Sequence, residues 1–462
     1  MPALPSRSPS LEPDAGAVDR GSPSPEATRR VDWWDWLLVV AIVLGLLLLG
    51  HATLFSAVLR PLVMEVEASR WGLFLERPSV LWTAMGTLLL AVRTALWFRY
   101  RPAAAATMDD APVLTVIIPA YNEGAMVASS IHSVAAARYP LGRLEIIVID
   151  DGSTDDTWEH IERAAACHPG VVTTIRFPEN RGKRAGLAAG FRSARGEIVV
   201  TIDSDSVIEP GALLAMAGPF RDPRVGAVAG RVGVYNRTAG LIPRMLHVRF
   251  ALSFDFLRAA QSTYGTVYCC PGALSAYRTS TVRAVLDGWL NQTFLGAPCT
   301  YGEDRALTNC IFAVGLDSVY QRNAVVHTVV PETYRQLCKM FLRWDRSFVR
   351  EEILFARIVW RRPLRARILA ICETTITNLR YPIAYASLAL LLSIVVHDPW
   401  ALVRVGIAIG VMSLFNMLYF LRMERSWAFL HGVLYAYFSF VALLWIFPYA
   451  VLTVRSRSWM TR

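Results

Sequence analysis

The sequence predicts an α/β domain set between membrane helices, and three observations carry that prediction. The composition is 54% hydrophobic and 18% charged, with a mean hydropathy of +0.36, against about 45–50% apolar and about 25% charged in a typical soluble domain. Long apolar runs stand towards both ends of the chain. Between them lie short β-branched runs separated by helix-like stretches, the pattern of buried parallel strands joined by crossover helices. At 462 residues the chain exceeds the roughly 250–300 at which a single core stops growing, so several compartments are expected.

Residues 1–31 are rich in Pro, Ser, Ala and Gly without hydrophobic period, and a disordered tail is expected there. Residues 32–101 are expected to hold two transmembrane helices. Arg29 and Arg30 precede Trp33, Trp34 and Trp36 and an apolar run over 37–59, long enough to span the roughly 30 Å hydrocarbon core. It is longer than a secretory signal and lacks a small-residue cleavage site. A second run over 80–98 is interrupted by Arg93 and closed by Arg99, Tyr100 and Arg101. Arginine at both outer flanks places the tail and the domain that follows in the cytoplasm, in a multi-pass protein of the plasma membrane. Residues 105–345 form the α/β domain, with strands expected at 114–119, 145–149, 171–175 and 197–202. Residues 346–462 then carry interfacial and transmembrane helices and a tail. The mixture of arginine and apolar residues at 346–367 suits a membrane surface, and apolar segments follow at 369–396, 400–421 and 427–454. Three simple crossings would strand Arg455, Arg457 and Arg462 outside, against the positive-inside bias. One segment is therefore expected to be interfacial or broken; Glu373, Asn378, Arg380 and Pro382 interrupt the first and Pro448 the last.

Several function classes are excluded. The net charge of +10 is almost all arginine, Lys183 and Lys339 being the only lysines, and no basic stripe with interleaved aromatics points to nucleic acid. The seven cysteines are dispersed with no CxxC pair, which argues against zinc and fits a reducing compartment. Neither a P-loop nor a dinucleotide fingerprint is present. No obligate protein partner is expected.

The chemistry concentrates at strand ends, where open α/β sheets bind ligands. Asp150-Asp151-Gly-Ser follows the second expected strand, and Asp203-Ser-Asp205 follows the fourth. A D-x-D at a strand end can hold a divalent cation whose shell is completed by phosphates, which suits a nucleotide diphosphate donor; alone, either pair could equally form a turn or cap a helix. Asn180-Arg-Gly-Lys-Arg184 is a basic turn opening a helix, a natural place for phosphate. Gly302-Glu-Asp-Arg305 offers paired acids, one of which could act as general base on an acceptor hydroxyl. Arg343-Trp344 pairs a phosphate partner with a platform for a sugar ring.

Together with Pro119-Ala-Tyr-Asn-Glu123, these strings resemble family 2 glycosyltransferases of the processive, membrane-embedded type across the whole domain. Arg258-Ala-Ala-Gln-Ser262, Asn291-Gln-Thr-Phe-Leu-Gly296, Glu303-Asp-Arg-Ala-Leu-Thr-Asn309 and Trp459-Met-Thr-Arg462 are similar to stretches of bacterial hyaluronan synthases. The resemblance implies a GT-A-type nucleotide-sugar transferase domain inserted between transmembrane helices. It implies that Tyr121, Asp151 and Lys183 hold the nucleotide diphosphate, with Gln261, Glu303 and Arg305 also substrate-binding, and that Asp203 and Asp205 place Mg2+ or Mn2+. Asp304 would be the base of an inverting transfer. Arg343 would stabilise departing UDP, Trp344 would stack under the acceptor sugar, and Trp459 with Arg462 would close over the nucleotide.

Three departures stand out. Met340 replaces the Gln of Q-x-x-R-W, Glu303 replaces an Asp, and Met460 replaces the Gly of W-G-T-R. Cys269 and Cys270 fall in a segment resembling the acceptor-site wall, where they either line the site or pack. The expected activity is polymerisation of an N-acetylglucosamine-containing polysaccharide from UDP-sugars with extrusion across the bilayer, first as hyaluronan from UDP-GlcNAc and UDP-glucuronate. Alternatives are a chitooligosaccharide-type enzyme using UDP-GlcNAc alone, a transferase acting on a lipid carrier, and a non-catalytic export or binding protein.

Overall fold

The computed structural model describes residues 32–55 and 72–456. Two helices come first, α1 (Trp33–Phe55) and α2 (Gly72–Arg99). The α/β domain follows as β1 (Leu114–Ala120), α3 (Met126–Ala135), β2 (Leu144–Asp150), α4 (Thr157–Ala166), β3 (Val172–Arg176), α5 (Lys183–Ser193), β4 (Ile198–Thr201) and β5 (Ser206–Ile208). It continues with α6 (Ala212–Ala217), β6 (Val225–Val234), α7 (Leu241–Phe250), α8 (Arg258–Ser262), β7 (Ser275–Arg278), α9 (Thr279–Leu290), a small hairpin of β8 (Thr293–Phe294) and β9 (Ala297–Pro298), α10 (Glu303–Ala313) and β10 (Asp317–Thr328). The last helices are α11 (Tyr334–Ile358), α12 (Leu364–Val395), α13 (Trp400–Glu424), α14 (Phe429–Phe438) and α15 (Ile446–Leu452).

Eight strands form one sheet in the order β3-β2-β1-β4-β7-β6-β10-β5. The β-branched runs at 114–120 and 144–150 pair in parallel, as does β1 with β4 and β2 with β3. Every residue of β1 is buried, as expected of a strand covered on both faces. The sheet is nevertheless mixed, because β7 runs antiparallel between β4 and β6. With β1, β2 and β4 running the same way, Tyr121, Asp151 and Asp203 fall just beyond the strands' carboxyl ends.

Among the described residues, three helices are long and apolar enough to cross a membrane: Trp33–His51, α12 and α13. Arg93, which interrupts the second apolar run, is neutralised from α12: its guanidinium donates to Glu373 Oε1 at 3.1 Å and Thr377 Oγ1 at 3.2 Å. Glu373 also accepts from Gln261 Nε2 (2.8 Å) and Tyr264 Oη (2.7 Å), which ties the membrane helices to the domain. A buried pair of this kind costs desolvation and persists only when its remaining lone pairs are satisfied.

The last apolar segment is not one straight helix. The helical stretches Phe429–Leu443 and Ile446–Leu452 meet at a bend of 45°. Both ends of this bent pair reach the α/β domain. Just before it, Glu424 is hydrogen-bonded to His247 at 2.8 Å and to Arg231 at 3.3 Å. Just after it, Tyr301 Oη donates to the Ser456 carbonyl at 3.0 Å, and Arg346 donates to Thr453 Oγ1 at 2.9 Å. Between them Trp445 donates to Tyr334 Oη at 3.1 Å, at the start of α11.

Candidate active site

The basic turn before α5 is built by Asp151. Its carboxylate accepts from the backbone N–H of Arg181 and of Gly182, both at 2.8 Å, and burial raises its pKa above the usual carboxylate range. Those two bonds let the chain turn through Gly182 (φ +89°) and open α5 at Lys183. Asp151 therefore shapes the turn that presents Lys183. Tyr121, half-buried at the end of β1, stands on the same rim, and Asn122 Oδ1 accepts from Thr154 N at 2.9 Å to hold the two loops together.

Lys183 reaches the centre of the site. Its ammonium is ion-paired with Asp203 and lies 3.2 Å from Glu303 Oε1. Burial alone would depress its pKa, yet the carboxylates of Asp203 and Glu303 outweigh burial and hold it above the ordinary lysine value. Gly272 permits this approach, because a Cβ there would sit 2.9 Å from Lys183 Nζ and 3.1 Å from Asp203 Oδ1. The extra methylene of Glu303 thus has a use: the carboxylate extends to Lys183. Burial pushes the Glu303 pKa up, but Lys183 first, then its own backbone N–H and Arg343, pull it below the usual range.

Asp304 is the second residue of α10. Its Oδ1 accepts from the Arg305 N–H at 2.7 Å, and the Cys269 thiol lies 3.4 Å from its Oδ2. Burial first, then the adjacent Glu303 carboxylate, raises its pKa, which is what a proton acceptor working near neutral pH requires. Asp304, Glu303, Lys183 and Asp203 all line one cavity together with Gly272 and Pro119. The wall behind them is tied together by hydrogen bonds. Trp289 Nε1 donates to the Glu303 carbonyl at 3.0 Å, and Arg184 donates to the Trp289 carbonyl at 2.7 Å with its guanidinium 5.0 Å from the indole ring.

Asp205 lies one step deeper, its Oδ1 accepting from Thr328 Oγ1 at 3.0 Å and Ser206 Oγ at 3.1 Å. Two carboxylates on one short strand-end loop fit a divalent cation that takes the rest of its oxygens from a diphosphate. Arg343 bears electrostatically on Glu303 from α11, and Trp344 follows it, half-buried against Phe250 (centroids 6.2 Å) and Phe341 (5.7 Å).

Two expected substrate-binding residues are engaged elsewhere. Arg305 is ion-paired with Glu352 and stacks over Phe348 at 4.7 Å, and Asn378 of α12 donates to the same Glu352 at 2.9 Å. Gln261 belongs to the Arg93–Glu373 network. Met340, at the Gln position of Q-x-x-R-W, packs against the hydrophobic core. Trp459, Met460 and Arg462, like the tail of residues 1–31, lie outside the described residues. The chain before them nevertheless arrives at the site, since Ser456 is held by Tyr301, one residue from Gly302. Sequence reasoning left Cys269 undecided between lining and packing; the structure puts its thiol on Asp304, while Cys270 is fully buried.

Comparison with known proteins agrees with this geometry. Residues 115–286 match the family described as glycosyl transferase family 2. An N-acetylglucosaminyltransferase of Azorhizobium caulinodans is 30% identical over 354 residues, 76% of this chain and 87% of that protein. An N-acetylglucosaminyltransferase of Rhizobium meliloti is 36% identical over 53% of this chain and 57% of its own length. A hyaluronan synthase of Streptococcus pyogenes is 34% identical over 60% of this chain and 66% of its own. In three dimensions the chain is similar to a mannosyltransferase of Pyrobaculum calidifontis solved with GDP-Man and Mn2+: TM-score 0.56 at 21% identity, covering 78% of this chain and 98% of that one, which shows a shared GT-A-like fold. A sheet of that fold with Lys183, Asp203 and the Glu303–Asp304 pair at one cavity, in a sequence this similar to transferases over most of its length, makes the chain an enzyme that belongs to the family 2 glycosyltransferases.

Proposed function

We propose that the enzyme is a processive, inverting β-glycosyltransferase of the plasma membrane that polymerises N-acetylglucosamine-containing polysaccharide from UDP-sugars, with hyaluronan from UDP-GlcNAc and UDP-glucuronate as the leading product. The observation that carries the reading is the position of Asp304. It is a half-buried carboxylate of raised pKa, in one cavity with a lysine and an aspartate suited to a diphosphate. In this account Lys183 leaves Asp203 and Glu303 for the donor's phosphate oxygens, and Tyr121 borders the uridine. Asp203 and Asp205 would hold Mg2+ or Mn2+, which when bound neutralises the pyrophosphate and eases its departure as UDP. Asp304 takes the proton of the acceptor hydroxyl as that oxygen attacks the anomeric carbon, inverting the donor's α linkage to β. Arg343 stabilises charge on the leaving UDP, and Trp344 carries the acceptor ring. Cys269 steers the Asp304 carboxyl from the acceptor side.

The same contacts support one membrane arrangement. Helices α1, α2, α12 and α13 cross, and the bent pair α14–α15 lies at the cytoplasmic surface with both ends on the catalytic domain. An even number of crossings leaves Arg455 inside, as the positive-inside bias demands. The described chain is held at Tyr301 as far as Ser456, and the resemblance gives Trp459 and Arg462 the role of closing over bound nucleotide.

The second reading, a chitooligosaccharide-type enzyme using UDP-GlcNAc alone, is favoured by the N-acetylglucosaminyltransferase similar over 87% of its length. Purified protein given Mn2+ or Mg2+ and labelled UDP-GlcNAc, with and without UDP-glucuronate, separates the two. Long product that needs both donors and is cut by hyaluronidase supports the first; resistant product from UDP-GlcNAc alone supports the second. Absence of product with any UDP-sugar overturns both.

A further inference from the structure

The turn that leads into Glu303 and Asp304 is held from behind by side chains that the chemistry above does not use. Arg346, Ser347, Arg350 and Glu351 are spaced so that they share one face of α11, and all four are buried. Arg350 donates through a terminal nitrogen to the Tyr301 carbonyl at 2.6 Å and through Nε to Glu351 Oε1 at 2.7 Å, with its guanidinium 5.5 Å from the Tyr301 ring. Glu351 in turn accepts from Asn309 of α10 at 2.9 Å and from Gln292 at 3.0 Å. The peptide just before Gly302 is therefore fastened to α11. One turn earlier on the same face, Arg346 reaches the segment that follows α15: its Nε and one terminal nitrogen donate to Thr453 Oγ1 at 3.1 and 2.9 Å. Its other terminal nitrogen is buried without a hydrogen-bond partner among the described residues. A buried guanidinium is costly unless its hydrogen bonds are made, so the Thr453 hydroxyl matters to it.

Tyr301 closes the triangle. It is buried, and its hydroxyl donates to the Ser456 carbonyl at 3.0 Å, with the Val454 carbonyl 3.4 Å away. Three stretches far apart in sequence thus meet two by two: α11 with the Tyr301 carbonyl, α11 with Thr453, and the Tyr301 hydroxyl with Ser456. Asp304 follows Tyr301 by three residues, through the left-handed turn at Gly302 (φ +73°), so a displacement of Tyr301 is carried to its carboxylate. The phenyl ring alone fills the space and faces Arg350; what the hydroxyl adds is the tie to residues 453–456. We propose that Tyr301 is a positioning residue for the transfer, its hydroxyl coupling residues 453–456 to the Gly302 turn, so that this joint with Arg346 and Arg350 fixes the aim of Asp304. The role rests on the reading of Asp304 as the base and deepens it.

UDP release from UDP-GlcNAc by the full chain in lipid nanodiscs tests it, with kcat and donor KM measured separately. Tyr301→Phe keeps the ring and removes only the hydroxyl, so kcat should fall about fivefold, the value of one hydrogen bond, with little change in donor KM. Trypsin should also cut faster after Arg455 in this variant, which reports the loosened segment. Thr453→Val should lower kcat in the same way, while Thr453→Ser, which keeps the hydroxyl, should turn over like wild type. Both ties belong to one joint, so Tyr301→Phe/Thr453→Val should lose less than the product of the two single losses. Faster cleavage of Tyr301→Phe with wild-type kcat would mean a purely structural tie and would overturn the proposal. So would a loss confined to donor KM, a Thr453→Val variant that turns over like Thr453→Ser, or single losses that simply multiply. The transferase reading fails by a different result, a wild type that releases no UDP from UDP-GlcNAc.

Discussion

Replacing Gly302 by alanine should disable the site by moving the two residues that follow it. Gly302 has φ +73°, in the left-handed region, where an alanine costs about 1–2 kcal/mol. A Cβ added there would also land on the Ser347 hydroxyl of α11 and stand 2.6 Å from the Ser347 Cβ. Overpacking of this kind costs about 1–3 kcal/mol, so Gly302→Ala should destabilise by roughly 2–5 kcal/mol. Chain that relieves the clash by shifting displaces Glu303 and Asp304, and a shift of about 1 Å in reacting groups costs about 10²-fold in turnover. Removing the opposing side chain isolates the steric part. Ser347→Gly alone should cost about 1 kcal/mol as a helix glycine, while Gly302→Ala/Ser347→Gly should recover about 1–3 kcal/mol relative to additivity. The assay is chemical denaturation in detergent alongside UDP release from UDP-GlcNAc. A Gly302→Ala protein with wild-type stability and turnover, or a double variant no better than the sum of the singles, would refute the reasoning.

Other outcomes follow from the same geometry. Lys183→Ala should raise the donor KM and lower turnover by a combined factor of about 10–100, the value of charge-assisted bonds to phosphate, and donor titrations of UDP release read it. Activity should fall on the acid side as Asp304 protonates, because the base works only when ionised and burial with Glu303 raises its pKa. Glu303→Gln removes one of those causes and should move that limb of the kcat/KM profile to lower pH; an unmoved limb would assign the titration to another group. A cysteine at His397, between α12 and α13, should react with a membrane-impermeant maleimide from outside intact cells, in a background where Cys167 and Cys372 are serine. Cysteines at Ser426 and Arg455 should react only after permeabilisation, and outside labelling of Arg455→Cys would mean that α14–α15 crosses.

Much of this architecture can be read along the chain because its signals are local. The β-branched runs at 114–120 and 144–150 announce buried strands, and acids just past strand ends locate the ligand edge of the sheet. What cannot be read that way depends on residues distant in sequence. Asp151 looks like a ligand to a nucleotide, and only the fold shows its carboxylate spent on backbone N–H groups 30 and 31 residues later. Arg93 interrupts an apolar run, and its partner Glu373 lies 280 residues away. The antiparallel β7 carries no signature that separates it from a parallel strand, since orientation is set by the path of the connection and not by side-chain pattern. Arg305 matches the glycosyltransferase motif by position, yet the helix start that aims Asp304 into the cavity turns Arg305 towards Glu352. The expectation of one interfacial or broken segment among the last three rests on a charge imbalance in the sequence, and the bend beyond Leu443 falls in the third of them.

The central claim is that Asp304 is the base of a sugar transfer, and single-turnover UDP release by wild type and Asp304→Asn tests it most directly. The substitution keeps the side chain's size and removes the proton acceptor, so turnover should fall by about 10²–10⁴-fold while UDP still binds with wild-type affinity. An Asp304→Asn enzyme that releases UDP at the wild-type rate onto a sugar acceptor would contradict the account.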